Sequence, residues 1–187
     1  MIAISSSNLS YGQNCVEFEG VNPISNWSGV YLAQSIQTDP LPTYNHYLQL
    51  NDNDGSSFSV NKSNEFSGDW LIKGENGCLC FDYKATWIGS FPYPISFPKI
   101  GIFYSTSNTA NSLNDIHAKF MGNPSDPNIT INEWKNYCLP IGLSNGGPLP
   151  SNTSGAWRIW DNATELTGAA ASNAWDILIQ NVTGVYL

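Results

Sequence analysis

The chain is poor in charge. Only 12% of its 187 residues are Asp, Glu, Lys or Arg, and just 7 of them are Lys or Arg. So few cations cannot neutralise a run of phosphates, and a formal net charge of −8 repels them, so no nucleic-acid partner is expected. No apolar run approaches the roughly 20 residues that a membrane-spanning helix needs, so no membrane insertion is expected either. Residues 1–14 have neither a basic start nor an apolar core and do not read as a signal peptide. Reactive motifs are missing too. There is no CxxC pair and no G-x-S-x-G, and neither His46 nor His117 has a recognisable metal or nucleophile partner nearby in sequence. Glu65, Asp69, Glu75, Asp82 and Glu133 could supply a glycosidase-like carboxylate pair only by folding, because no local pattern marks two of them as acid and base. The expectation is that the protein is not an enzyme.

What the chain does have is aromatic side chains, 13% of the total with 7 Trp, set among Asn, Ser, Thr and Gly. With Glu and Lys scarce and β-formers common, this balance suits an all-β domain secreted or displayed at the cell surface. Short alternating segments recur between turn clusters: 15–20, 29–36, 46–51, 69–73, 78–87, 99–105, 115–121, 134–141, 156–160 and 182–187. Only 173–181 departs from this. There Trp175, Leu178 and Ile179 recur at helical spacing behind Ser172, a suitable N-cap. The proline-rich stretch 91–98 cannot be an interior strand, and 122–128 and 144–152 are Gly/Pro-rich connections. No linker divides the chain. The expected organisation is an extension at 1–14 followed by one β-sandwich domain at 15–187.

The four cysteines are Cys15, Cys78, Cys80 and Cys138. Cys78 and Cys80, at i and i+2 of a strand, face the same way and are not expected to join each other. Their pairing stays open, with buried thiols favoured for at least two of the four. The N-x-[ST] sequons at Asn8, Asn26, Asn61, Asn128, Asn152, Asn162 and Asn181 read mainly as chance matches in so Asn/Ser/Thr-rich a chain.

Several stretches recur in a familiar order. They are FEG and NW (Phe18, Glu19, Gly20, Asn26, Trp27), HYLQLNDNDGSSFSV, NEFSGDW, GCLCFDYK, NEWKNYCLPI, GAWRIW and AWDILIQNVTGVYL. Over residues 15–187 this order resembles laminin B (laminin IV-type) domains and, through them, galactose-binding-like jelly rolls of secreted and surface proteins. The resemblance implies an all-β, jelly-roll β-sandwich of two antiparallel sheets with one short helix near the C-terminus. Family members also continue into a last strand, so it implies a closing strand supplied from beyond Leu187 or from elsewhere.

Two kinds of site follow. Glu17 and Glu19, with Asp52 and Asp54 of the NDNDGSS stretch, are the best carboxylate sources for a structural Ca2+, a hard cation that takes oxygen ligands. Jelly rolls of the resembled type often carry such an ion. The stretch fits a hairpin turn built by its Asx residues and Gly55 better than an EF-hand, whose twelfth position would here be Lys62. A carbohydrate face is the second kind. Sugars stack their C–H faces on aromatic rings and pair their hydroxyls with polar side chains. Trp87, Phe91 and Tyr93 beside the proline-rich loop are the first candidates. Tyr44, Asn45 and His46 are the second, and Trp157 with Trp160 the third. Trp70, Trp134 and Trp175 are expected in the core. The expected function is therefore a non-catalytic extracellular module that binds glycan or another cell-surface ligand. The alternative is a structural adhesion or spacer domain whose partners are neighbouring domains of a larger surface protein.

Overall fold

A computed structural model describes residues 2–5, 26–30, 32–38, 46–52, 58–64, 66–73, 77–85, 99–105, 115–123 and 132–187. Among the described residues, thirteen strands run in chain order as β1 (Ile2–Ser5), β2 (Trp27–Val30), β3 (Leu32–Thr38), β4 (His46–Asp52), β5 (Phe58–Asn61), β6 (Cys78–Ala85), β7 (Lys99–Tyr104), β8 (Ile116–Gly122), β9 (Lys135–Pro140), β10 (Ser151–Asn152), β11 (Gly155–Asp161), β12 (Thr164–Leu166) and β13 (Gly184–Tyr186). Two helices join them, α1 (Trp70–Lys73) after β5 and α2 (Gly168–Gln180) before β13.

The strands form a five-stranded sheet, β3-β4-β1-β6-β9, and an eight-stranded one, β10-β11-β8-β7-β13-β5-β2 with β12 alongside β11. Every pairing is antiparallel, and the chain passes repeatedly from one sheet to the other. Alternation along each strand decides which face is buried. On β6 and β9, Phe81, Tyr83, Tyr137 and Leu139 point inward; on β7, β8 and β11, Ile100, Ile102, Ala118, Phe120, Trp157 and Ile159 do so. All ten belong to one hydrophobic cluster, so the sheets pack face to face as an all-β sandwich. Asp82 follows Phe81 onto the opposite face, as the alternation predicts, and accepts a hydrogen bond from Asn136 Nδ2 at 2.9 Å.

Several expectations are corrected. The segment 69–73, read as a strand, is the helical turn α1, because the Asp69 carboxylate accepts the Leu71 amide at 2.9 Å and caps it. The single strand expected over 29–36 is two, β2 in one sheet and β3 in the other. Residues 2–5, placed in an extension, are the middle strand β1, paired to β4 and β6. Helix α2 begins at Gly168, with Thr167 as its N-cap, not at Ser172. The run Ala169–Ala171 favours helix, and Ser172 is fully buried inside it. Cys80 and Cys138 sit directly opposite each other on β6 and β9 and form a disulfide, leaving Cys78 as a free thiol. Trp70 and Trp175 are core residues, but Trp134 is half-exposed beneath the Lys84 ammonium at 5.3 Å. The sequon at Asn61 is buried, its side chain accepting the Ser63 amide at 2.8 Å.

Around α2 the connections are tied by hydrogen bonds. Trp157 Nε1 donates to the Pro140 carbonyl at 2.8 Å and Trp175 Nε1 to the Gly142 carbonyl at 2.7 Å. The Asp176 carboxylate accepts the Ser144 amide at 2.6 Å, the Ser144 hydroxyl at 2.8 Å and the Asn145 amide at 3.2 Å. These bonds pin the 140–145 connection onto the helix. They also tether Ser144, whose hydroxyl lies against Ser172 and the Asp176 carboxylate.

Candidate functional site on the outer face of the eight-stranded sheet

The same alternation that fills the core sends a second set of side chains to the other side of the eight-stranded sheet. The register places them in two adjacent rows. One row runs Val60, Tyr186, Gly101, Lys119, Arg158 across β5, β13, β7, β8 and β11. The next runs Phe103, His117, Trp160, Glu165 across β7, β8, β11 and β12. Half of this surface is apolar and buried. Val60, Phe103 and Tyr186 form a hydrophobic cluster of their own, separate from the core between the sheets. Room for it comes from Gly101: a side chain there would occupy the place of the Tyr186 ring.

The other half is aromatic and charged. The His117 and Trp160 rings stand parallel, 9° apart, with centroids at 5.6 Å. Tyr186 meets His117 edge-on at 6.4 Å. Two cations lie over Trp160, Lys119 at 5.4 Å and Arg158 at 5.7 Å, and a third, Lys62, lies above Phe103 of the apolar half at 5.6 Å. Arg158 is also gripped by Glu165. Its Nε donates to one carboxylate oxygen at 2.6 Å and its Nη2 donates to the other. Trp160 is half-buried, while Arg158 and Lys119 are exposed. The site therefore joins a fixed aromatic surface to a guanidinium held in one plane.

His117 is buried, and its Nδ1 lies 3.3 Å from the Asp115 carbonyl, which can only accept, so the proton sits on Nδ1. Burial pushes its pKa below the ordinary imidazole value; the Asp115 carbonyl opposes this, and the positive charge of Lys119 adds to the depression. The ring is therefore neutral at pH 7. Burial also raises the phenol pKa of Tyr186 far above its usual value, so the phenol stays protonated.

Of the expected site residues, His46, Asp52, Trp157 and Trp160 are among those described. Trp87, Phe91, Tyr93, Tyr44 and Asn45 lie outside the described residues, as do Glu17, Glu19 and Asp54. His46 opens β4 opposite Thr38, and Asp52 ends β4 opposite Leu32, both on the β3–β4 edge pair of the five-stranded sheet. The third aromatic candidate is split: Trp157 is a core residue and Trp160 is on the outer face. Among the described residues, no group of three or more His, Cys, Asp or Glu side chains could hold a metal ion, and no helix is long and apolar enough to cross a membrane. Sequence reasoning missed His117, Lys119, Arg158 and Glu165. Their signal was the alternation in AWRIW and DIHAKFM, which sets Arg158 and Trp160 opposite to Trp157, and His117 and Lys119 opposite to Ala118.

Compared with family models, curated proteins and solved structures, the chain finds no match.

Proposed function

We propose that this domain is a non-catalytic binding module that recognises carbohydrate, or a cell-surface ligand of like chemistry, on the outer face of the eight-stranded sheet. The observation that carries the reading is the half-buried Trp160 ring, stacked on His117 and flanked by Arg158, Lys119 and Glu165. A ring for sugar C–H faces beside a few fixed donors and one acceptor is the usual recipe for a saccharide subsite. The platform is regular sheet, so its side chains are held in place before a ligand arrives. The Cys80–Cys138 bridge supports a secreted or cell-surface location, where disulfides persist. A glycan array followed by calorimetry on the hits tests the reading. Binding that is lost in Trp160→Ala, with the melting transition retained, supports it; no binding to any saccharide contradicts it.

A structural adhesion or spacer role is the second reading. It is favoured by the burial of Val60, Phe103 and Tyr186 on the same face, a use of aromatic rings for packing alone. Under this reading Trp160→Ala lowers stability and changes no binding.

A further inference from the structure

The outer face carries cations on a molecule that has few of them. The chain carries a formal net charge of −8, yet Lys119 and Arg158 both stand over Trp160 in these two rows, and Arg158 is paired with Glu165. Lys119 and Arg158 are directly opposite partners on β8 and β11. Like charges in that relation destabilise a sheet, so packing gives no reason to set them there. Both also lie over one indole, which places their positive charge around a single ring.

Arg158 supplies the geometry. A guanidinium has five N–H donors in a planar fork. Glu165 takes two of them, Nε–H and one on Nη2, along one side of the plane. The other three, two on Nη1 and one on Nη2, meet no acceptor among the described residues. The Nη1–Nη2 edge is the one that grips a second carboxylate with two parallel bonds. Glu165 thus fixes the plane, Trp160 supports its face, and the open edge of a half-exposed guanidinium remains for an anion.

Resting on the reading that this face binds saccharide, we infer that its ligand is an acidic saccharide whose carboxylate is received by the open edge of Arg158. The Lys119 ammonium adds long-range attraction, and the sugar ring packs on Trp160. Glu165 is a positioning residue for that carboxylate: it holds the guanidinium in its plane.

Calorimetry of the full chain with three sets of soluble oligosaccharides, uronate-bearing, sulfated and neutral, tests the inference. The uronate set is expected to bind about tenfold tighter than the neutral set at low salt, the scale of one charge-assisted pair. That preference is expected to shrink at 0.5 M NaCl, to disappear in Arg158→Gln and to weaken in Lys119→Gln. Lys84→Gln, which removes the same charge from the other sheet, is expected to leave it unchanged. Arg158→Lys keeps the charge without the fork and is expected to lose the preference for carboxylate over sulfate. Neutral oligosaccharides bound as tightly as uronates would overturn the acidic ligand while leaving the saccharide reading intact. Tighter binding of the sulfated set than the uronate set would overturn the carboxylate. Binding of no saccharide at all would remove the reading underneath. Circular dichroism melts of each variant separate lost recognition from lost folding.

Discussion

The Tyr186 ring lies across Gly101, on the neighbouring strand, in the space that any side chain at position 101 would fill. The two are direct partners in the register of β13 and β7, so the contact is fixed by the sheet itself. A Cβ at 101 would force the ring out of its cluster with Val60 and Phe103. Gly101→Ala is therefore expected to destabilise the fold by about 1–3 kcal/mol, the usual cost of overpacking. Urea denaturation measures it, and an unchanged midpoint would show that Tyr186 can move without cost.

The disulfide is the second handle on stability. Cys80 and Cys138 are 58 residues apart in sequence and directly opposite in the sheet. A closed loop of that size restricts the unfolded chain, and replacing both cysteines by Ser should cost about 2–4 kcal/mol. Denaturation of wild type with and without reductant should show the same difference.

His117 sets a pH dependence. Its pKa is lowered in the folded protein, first by burial, while the unfolded chain keeps the ordinary value of 6.5. The unfolded state therefore binds more protons as pH falls. The stability this group contributes is fully present above pH 6.5 and is lost as pH falls from there through its folded pKa. The slope reaches at most about 1.4 kcal/mol per pH unit for one proton. Urea midpoints between pH 4 and 7 should fall less steeply in His117→Phe, which keeps a ring beside Trp160. Equal slopes in the two proteins would assign the loss to other groups.

Asp176 holds the 140–145 connection through the Ser144 and Asn145 amides. Asp176→Ala removes both acceptors and is expected to cost about 2 kcal/mol, in the range of hydrogen bonds to a charged group. Hydrogen exchange should report it directly, with the Ser144 and Asn145 amides exchanging faster while that of Ile159, within β11, is unchanged.

The alternation in DIHAKFM, CLCFDYK and AWRIW made β8, β6 and β11 legible, since each strand's apolar set lands on one face. DWLIK was misread because so short an apolar run has no period of its own; a single capping bond from Asp69 makes it helical. The Cys80–Cys138 pairing and the place of β1 between β4 and β6 depend on contacts far apart in sequence, which no local pattern encodes. The site was half visible for the same reason. Trp160 stood out as an aromatic residue, but His117 and Lys119 reach it from β8, and only the register between β8 and β11 brings them together.

In the proposed site Trp160 is the ring a ligand meets. Nitrogen-15 NMR of the indole N–H groups reads it directly, because each Trp gives its own resonance. On titration with the tightest-binding saccharide, the Trp160 resonance should shift. The resonances of Trp157 and Trp175, whose indoles are bonded to the Pro140 and Gly142 carbonyls, should stay in place. A silent Trp160, with the shift falling instead on Trp87, would contradict the account and return the site to the proline-rich loop.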